Sequence, residues 1–215
     1  MRAFTRSTTA IFLTLCLAAP ALAKMPARFG VRAGVNLSAF GGEFGDAVQP
    51  DSRVAPNLSA FYELPLSPQL AFHGEVGYSG KGGKTENEST DVFGNPTTIK
   101  SDWQFNYIEV PLMLRGRFGS LGKATPFFEL GPSLGFAVSG KFEMDPAIIA
   151  DTNLTDDMKG LDVGWAAGTG VEFPAGPGRL GVEARFTRGF SDLFDLSDNA
   201  AAINQAWTFA LSFSR

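Results

Sequence analysis

The sequence predicts an all-β protein, an eight-stranded antiparallel up-and-down transmembrane β-barrel. Eight segments of about 11 residues alternate between apolar and polar residues with a period of two, which is typical of strands with two unlike faces. The connections between these segments alternate between long and short, as they do in outer-membrane barrels. After residue 23, no stretch is long and apolar enough to form a membrane helix. A closed barrel would still cross a membrane with its backbone groups paired.

The clearest alternation lies in residues 107–115. One set of alternate residues is entirely aliphatic: Ile108, Val110, Leu112 and Leu114. The other set is mixed and includes two charged residues, Glu109 and Arg115. The charged face must be tolerated inside the protein if the aliphatic face meets lipid, which predicts a barrel with a polar interior.

Residues 1–23 are typical of a signal peptide, and residues 24–215 form the predicted barrel domain. Arg2 and Arg6 give the N-terminus its positive charge, residues 10–22 are mostly apolar, and the small-x-small motif at residues 21–23 predicts cleavage after Ala23. Cys16, the single cysteine, follows Leu15 where a lipoprotein signal requires a small residue, so no lipid anchor is expected. The mature chain would contain no cysteine and therefore no disulfide.

The first four predicted strands are residues 29–40, 53–64, 70–80 and 102–117. Their apolar faces comprise alternate residues from Phe29 to Ala39, then Val54, Leu58, Ala60, Tyr62 and Leu64, then Leu70, Phe72, Val76 and Tyr78, and finally Ile108 to Leu114. Pro56 near the start of the second strand is compatible with an edge or a bulge. Trp103, Phe105 and Tyr107 are out of phase with the aliphatic residues that follow them, which predicts a bulge or a change of exposure near Asn106.

The last four predicted strands are residues 125–140, 161–173, 179–190 and 204–215. Their apolar faces comprise Phe128, Leu130, Leu134, Phe136 and Val138, then Val163, Trp165, Ala167, Val171 and Phe173, then Leu180, Val182, Ala184 and Phe186, and finally Trp207, Phe209, Leu211 and Phe213. The loops 41–52, 81–101, 141–160 and 191–203 are long, and residues 147–159 are compatible with a short helical turn. The turns 64–69, 118–124 and 174–178 are short, which predicts that they and both mature termini face the periplasm.

The polar faces carry charge of both signs, which predicts a lumen charge network. Its members are Arg32, Glu63, His73, Glu75, Glu109, Arg115, Arg117, Glu129, Glu172, Glu183 and Arg185. An eight-stranded barrel has an interior about as large as its own side chains, so these charges would pair with one another. The structural interpretation is a salt-bridged core, and the functional alternative is a narrow path for ions or protons.

Short motifs in the mature chain resemble the PorT-like outer-membrane β-barrel family. Residues 107–115 have that family's aromatic-x-glutamate-aliphatic-proline-aliphatic pattern, residues 131–136 (GPSLGF) are similar to its next strand, and residues 29–36 (FGVRAGVN) to its first. The similarity extends over residues 28–215. It implies an eight-stranded barrel in the outer membrane of a Gram-negative-type bacterium, and it implies little about activity. Such barrels usually end on an aromatic residue that the assembly machinery reads, whereas this chain ends Phe213-Ser214-Arg215.

The predicted function is that of a non-enzymatic integral outer-membrane barrel, with a structural role or a binding role for its surface loops. Its expected partners are outer-membrane lipid and the barrel-assembly machinery, with no ligand specified for the loops. A net charge of −4 argues against nucleic-acid binding, which requires a basic patch. No cofactor is indicated.

Three alternatives remain open from the sequence. A small outer-membrane enzyme would need a histidine beside a nucleophile, and the single histidine, His73, is expected in the lower lumen next to Glu75. A narrow ion-conducting pore is the second alternative. A secreted soluble barrel of lipocalin type would place the apolar set inside, but the strand faces are rich in glycine and the predicted strands contain no lysine. One histidine and no mature cysteine predict no metal site, and Asp151, Asp156 and Asp157 lack the spacing of an EF-hand.

Overall fold

The computed structural model describes residues 26–43, 45, 50–90, 94–145, 152–155, 158–193 and 202–215. Nine strands form one sheet within these residues. They are β1 (Arg28–Gly41), β2 (Asp51–Pro65), β3 (Leu70–Thr90), β4 (Pro96–Arg117), β5 (Thr125–Asp145), β6 (Thr152–Asn153), β7 (Leu161–Ala175), β8 (Gly178–Gly189) and β9 (Ile203–Ser214). The predicted signal peptide lies outside the described residues.

Eight of the nine strands close into an antiparallel ring. Each strand of the ring pairs with its neighbour along the chain, and β9 returns to pair with β1 from Gly30–Ser214 to Gly41–Ile203. The backbone amide of Phe29 donates to the carbonyl of Arg215 at 2.9 Å, which seals this seam at the end nearest the C-terminus. β6 stands outside the ring and pairs with the outer end of β5. The predicted eight-stranded up-and-down barrel is therefore confirmed.

The prediction of a long loop at residues 81–101 is wrong. The β3–β4 ladder continues without interruption from Lys81–Phe105 to Thr90–Pro96, and β5 pairs with β4 as far as Asp145. We call this region, residues 82–90, 96–106 and 139–145, the outer extension. Its outward side is charged or polar, so the apolar period-two pattern that identifies the lower strands is absent although backbone pairing continues. The predicted helical turn at 147–159 lies mostly outside the described residues, and its described part contains β6.

The predicted irregularity near Asn106 is present, but it lies in β5. Asn106 pairs with Ser139 and Tyr107 with Ala137, so Val138 is the extra residue. The alternation of β4 continues through this point, and Phe105 and Tyr107 are buried inside the barrel together with Glu109. The three aromatic residues of this segment are therefore in phase with the charged face. A second register shift, in the β2–β3 ladder, brackets Pro56, where a missing amide hydrogen is tolerated.

The two faces of the ring are inverted relative to a soluble barrel. Aliphatic and aromatic side chains cover the outside, where Leu112 is 37% exposed, whereas the inside is polar and Arg115 is 2% exposed. This is the opposite of the lipocalin arrangement. On the outer face, Trp165, Phe186 and Trp207 form a chain of ring contacts near the outer end of the strands. Aromatic residues prefer the depth at which a membrane meets water.

Inward glycines leave room for large side chains in the lumen. A Cβ on Gly30 would lie 2.1 Å from the ring of Phe61, and one on Gly170 would lie 2.7 Å from the ring of Phe127. A Cβ on Gly168 would lie 3.0 Å from a carboxylate oxygen of Glu129. The glycine-rich polar face seen in the sequence thus accommodates aromatic rings as well as charges.

The closed ring predicts resistance to detergent. The ring pairs each of its strands on both sides, so SDS finds no strand edge at which to begin unfolding. We expect the folded protein to migrate differently on an SDS gel before and after boiling. The control is a urea-denatured sample, which should give the boiled mobility in both lanes. Identical mobility for a sample with the circular dichroism spectrum of a β-protein would contradict the closed ring.

Candidate functional site

The lumen is the part of the molecule in which chemically active side chains converge. All eleven residues of the predicted lumen charge network face it; ten are buried, and the Arg117 side chain is 11% exposed. Ten of the eleven form one continuous cluster of ion pairs and hydrogen bonds. Glu109 lies apart from this cluster, nearer the outer end.

Arg115 on β4 is at the centre of the lower part of the cluster. It contacts Glu129 at 2.7 Å and Glu172 at 3.1 Å, and its guanidinium lies 4.2 Å from the centre of the Phe127 ring. Glu129 is the direct cross-strand partner of Arg115, so the two meet side by side. Cross-strand pairs of opposite charge stabilise a sheet, and burial strengthens their attraction.

Two further arginines connect the remaining strands across the lumen. Arg185 on β8 contacts Glu129 at 2.7 Å, Glu75 at 2.9 Å and Glu183 at 3.2 Å. Arg32 on β1 contacts Glu183 at 2.9 Å and also pairs with Glu75. These contacts reach from one wall of the barrel to the other. The network therefore joins strands on opposite sides of the ring as well as neighbouring strands.

The end of the lumen beside the short turns 66–69 and 118–124 is also closed by charge pairs. Arg117 contacts Glu63 at 2.7 Å and Glu172 at 3.0 Å. Arg28 and Arg179, both partly exposed, lie 3.6 Å from Glu63 and 3.3 Å from Glu172 respectively. The lower opening is therefore bridged by alternating positive and negative side chains.

His73 is enclosed within this cluster. Its Nε2 lies 3.4 Å from Glu75, its Nδ1 lies 4.0 Å from Glu63, and its ring stacks 4.8 Å from that of Phe61. Its Nδ1 has no hydrogen-bond partner within the described residues. Both carboxylates around His73 are paired with arginines. Within the described residues, no hydroxyl or thiol is among the hydrogen-bond or ion-pair partners of His73.

A second polar group, which the sequence analysis did not identify, lies above the main cluster. Lys81 on β3 is 3% exposed and pairs with Glu109. The Asn204 amide donates to the Tyr107 hydroxyl at 2.9 Å and to Asp162 at 3.1 Å. Expecting no lysine in the strands was therefore wrong. The signal was available, because Lys81 continues the inward alternation of residues 73–79 into the region interpreted as a loop.

An aromatic cap closes the outer end of the lumen. It comprises Phe40, Phe105, Tyr107, Met158, Leu193 and Ala202, with Trp103, Ala137 and Leu154 packed against it. The rings of Trp103 and Phe105 both lie 5.8 Å from that of Phe40. Between the cap and the charge network, a cavity of about 10 Å³ is lined by Lys81, Glu109 and Asp162, among others. Such a volume is about that of one water molecule. Among the described residues, the lumen thus has charge pairs below, a small cavity in the middle, and an apolar cap above.

The outward side of the outer extension carries exposed ion pairs. Lys100 contacts Glu86 at 3.0 Å and Lys84 lies 3.7 Å from Asp102. The hydrogen bond that Lys100 donates to Glu86, together with the negative charge of Glu86, raises the pKa of Lys100. Pairs this exposed contribute little to stability, so the charges mark a surface that stands in water.

No described segment is a helix long and apolar enough to span a membrane. No group of three or more His, Cys, Asp or Glu residues in the described part of the chain could hold a metal ion. Of the acidic loop residues, Asp151, Asp156 and Asp157 lie outside the described residues.

Residues 22–195 match the model of the "Outer membrane protein beta-barrel domain" family. The chain belongs to this family. Membership supports an outer-membrane location and agrees with the inverted faces of the ring. None of the curated proteins matches the sequence significantly.

Several solved structures are similar in outline. Neisserial surface protein A is 13% identical with a TM-score of 0.47, covering 86% of this chain and 95% of its own. Ail of Yersinia pestis is 13% identical with a TM-score of 0.44, and the match covers 89% of this chain and 100% of Ail. The outer membrane enzyme PagL is 14% identical with a TM-score of 0.40, and the match covers 85% of this chain and 97% of PagL. At these identities and scores, the similarities carry no argument about activity.

The buried network predicts an unusual order of mutational effects. Glu129 is fully buried between Arg115 and Arg185, so Glu129→Ala leaves two guanidiniums without their shared carboxylate, at a cost of roughly 3–5 kcal/mol. Leu112→Ala, on the lipid face of β4, should cost less, because lipid fills the space that the side chain leaves. Urea titration of both variants in lipid vesicles measures the two free energies of unfolding.

Glu129→Gln is the matched control for shape, and we expect it to fall between the wild type and Glu129→Ala because it keeps the volume and one acceptor. A larger loss for Leu112→Ala than for Glu129→Ala would mean that the aliphatic face is the packed core, which contradicts the membrane arrangement.

Proposed function

We propose that the protein is a non-enzymatic, non-conducting outer-membrane barrel that anchors and presents the outer extension at the cell surface. The observation that carries this proposal is the occupied lumen. Nine charged side chains and His73 fill its lower part, and the aromatic cap fills its outer end. A barrel filled in this way supports an anchoring role, and the extension then offers a polar surface for contact with a partner.

Two features of the chain fit this proposal. The PorT-like motifs in residues 107–115 and 131–136 point to a family defined more by its fold than by an activity. A signal peptide cleaved after Ala23 would export the chain, in a Gram-negative-type bacterium, to the machinery that assembles barrels. With this topology, the short turns 66–69 and 118–124 face the periplasm and the outer extension faces outward.

A narrow pore is the second candidate, because a continuous row of charges could in principle relay ions. The pairing of those charges argues against it: each arginine of the cluster contacts two or more carboxylates, and the cap lies above them. An enzyme built on His73 is less well supported. That residue is enclosed by Phe61 and by carboxylates that are already paired.

Planar-bilayer recording distinguishes the anchor from the pore. We expect the refolded wild-type protein to insert without discrete current steps, because ion pairs and aromatic rings occupy its lumen. Insertion must be verified independently by heat-dependent gel mobility of the recovered bilayer protein. Reproducible current steps, absent from a heat-denatured preparation, would reject the non-conducting proposal in favour of the pore.

Cysteine labelling on intact cells tests the orientation. Ser89 lies in the outer extension and Gln69 in a short turn, and both are exposed. Because the mature chain would have no cysteine, Ser89→Cys and Gln69→Cys each provide a single thiol. A PEG-maleimide too large for porins should label Ser89→Cys on intact cells and Gln69→Cys only after lysis. The reverse pattern would invert the proposed topology.

A further inference from the structure

A polar cavity opens on the outside of the barrel wall, at the base of the outer extension. It has a volume of about 360 Å³ and is lined by Gln104, Asn106, Ser139, Gly140, Lys141, Thr152, Asn153 and Thr155. We call it the rim cavity. Its volume lies in the range of small-molecule binding sites, roughly 300–1,000 Å³. It is separate from the lumen, because its β4 residues have the parity of Ile108, on the lipid face.

The rim cavity lies where the outer face changes from apolar to polar. Along β4, exposed Ile108 is followed on the same face by Asn106 and Gln104. Along β5, exposed Phe136 and Val138 are followed by Ser139 and Lys141. A ligand in this cavity would therefore have its polar part against amides and hydroxyls and its apolar part against the lipid-facing wall. Only an amphiphile held in the membrane matches both surroundings.

The walls of the cavity are held in place by the fold. The Asn106 amide donates to the Ser139 hydroxyl at 2.9 Å, which fixes the floor. The segment that forms the opposite wall is tied to β5, because β6 pairs with Lys141 and Phe142 and the amide of Leu154 donates to the carbonyl of Gly140 at 2.9 Å. The Thr155 amide donates to the Asn153 side chain at 2.9 Å. The hydrogen-bonding groups are thus presented by paired backbone.

The chemistry of the lining favours a sugar over a simple anion. Six of the eight lining residues carry neutral amides or hydroxyls, which both donate and accept hydrogen bonds. Lys141, the cation among these eight, is paired with Glu143, and Glu143 also accepts from Gln104 at 3.1 Å. Its charge is therefore already compensated, and a bare phosphate would meet the carboxylate. Sugar hydroxyls match a set of neutral donors and acceptors.

From these observations we infer that the rim cavity binds the saccharide headgroup of a glycolipid in the outer leaflet of the membrane. The inference rests on the proposed function in one respect, namely that the outer extension lies on the outer-leaflet side. The bound headgroup would connect the base of the outer extension to the surrounding leaflet and fix the depth of the barrel.

The test uses the full mature chain in nanodiscs and observes the side-chain amide NMR signals of Gln104, Asn106 and Asn153. Phosphatidylcholine discs serve as the reference. Three additions are compared with them: lipopolysaccharide in the disc, phosphatidylglycerol in the disc, and the delipidated oligosaccharide in solution. We expect these amide signals to shift with lipopolysaccharide alone. Equal shifts with phosphatidylglycerol would overturn the inference in favour of a charge effect. Equal shifts with the free oligosaccharide would overturn the claim that the bound saccharide must belong to a membrane lipid.

Variants then locate the binding. Gln104→Leu removes one hydrogen-bonding side chain and should weaken lipopolysaccharide binding by about threefold to tenfold, the equivalent of one hydrogen bond. Gln205→Leu is the matched control. It replaces the same amide with the same aliphatic side chain on β9, outside the cavity. Unchanged binding by Gln104→Leu, or an equal loss in both variants, would overturn the inference. Both leaflets of a disc contain the glycolipid, so the result is independent of the orientation measured on cells, and a failure here leaves the non-conducting anchor standing.

Discussion

The pairing of buried charges inside the barrel is the constraint on which the rest of the structure depends. Five carboxylates, four guanidiniums and His73 share a space without a wide water path, and an unpaired member would carry a large desolvation penalty. Their positions along the strands are fixed by cross-strand register, as Arg115 opposite Glu129 illustrates. A shift of one residue in any strand would turn its charged face to lipid and its aliphatic face to the lumen. The network therefore selects one register for the whole ring.

The lumen is divided into two layers with different chemistry, and the division explains the changes along β4. Below Glu109, the inward residues of β4 include Arg115 and Arg117 of the ion-pair network, and above it they are Tyr107, Phe105 and Trp103. The aromatic residues lie where the barrel ends and the outer extension begins, so they shield the upper ion pair of Lys81 and Glu109 from the solvent outside. The apolar cap keeps water from the upper ion pair, and the polar layer beneath it keeps water from the inner side of the cap.

The sequence predicted the membrane-crossing part well because two different solvents act on its two faces. Lipid outside and a narrow polar lumen inside impose opposite preferences on successive residues, which the alternation of residues 107–115 records. The outer extension could not be predicted in this way, because lipid does not act on its outward face, which carries Lys84, Lys100 and Glu86 as a loop would. The phase of Trp103, Phe105 and Tyr107 left two alternatives open for a related reason. An aromatic residue suits either a lipid face or a packed cap, and only the continuous parity with Glu109 distinguishes the two.

The inverted arrangement of faces also suits the route by which such a chain reaches its membrane. An exported chain that carried eight uniformly apolar strands would present long hydrophobic stretches, which the inner membrane retains as helices. Here each strand has polar or glycine residues among its inward positions, and the mean hydropathy of the whole sequence is only +0.03. The charged residues of the lumen therefore act twice. In the unfolded chain they interrupt hydrophobic stretches such as residues 107–115. In the folded barrel, Glu109 and Arg115 are buried, and each is paired with a side chain of opposite charge. The apolar surface needed to enter lipid is assembled only when the ring closes, because closure brings alternate residues of eight strands together on one continuous outer face.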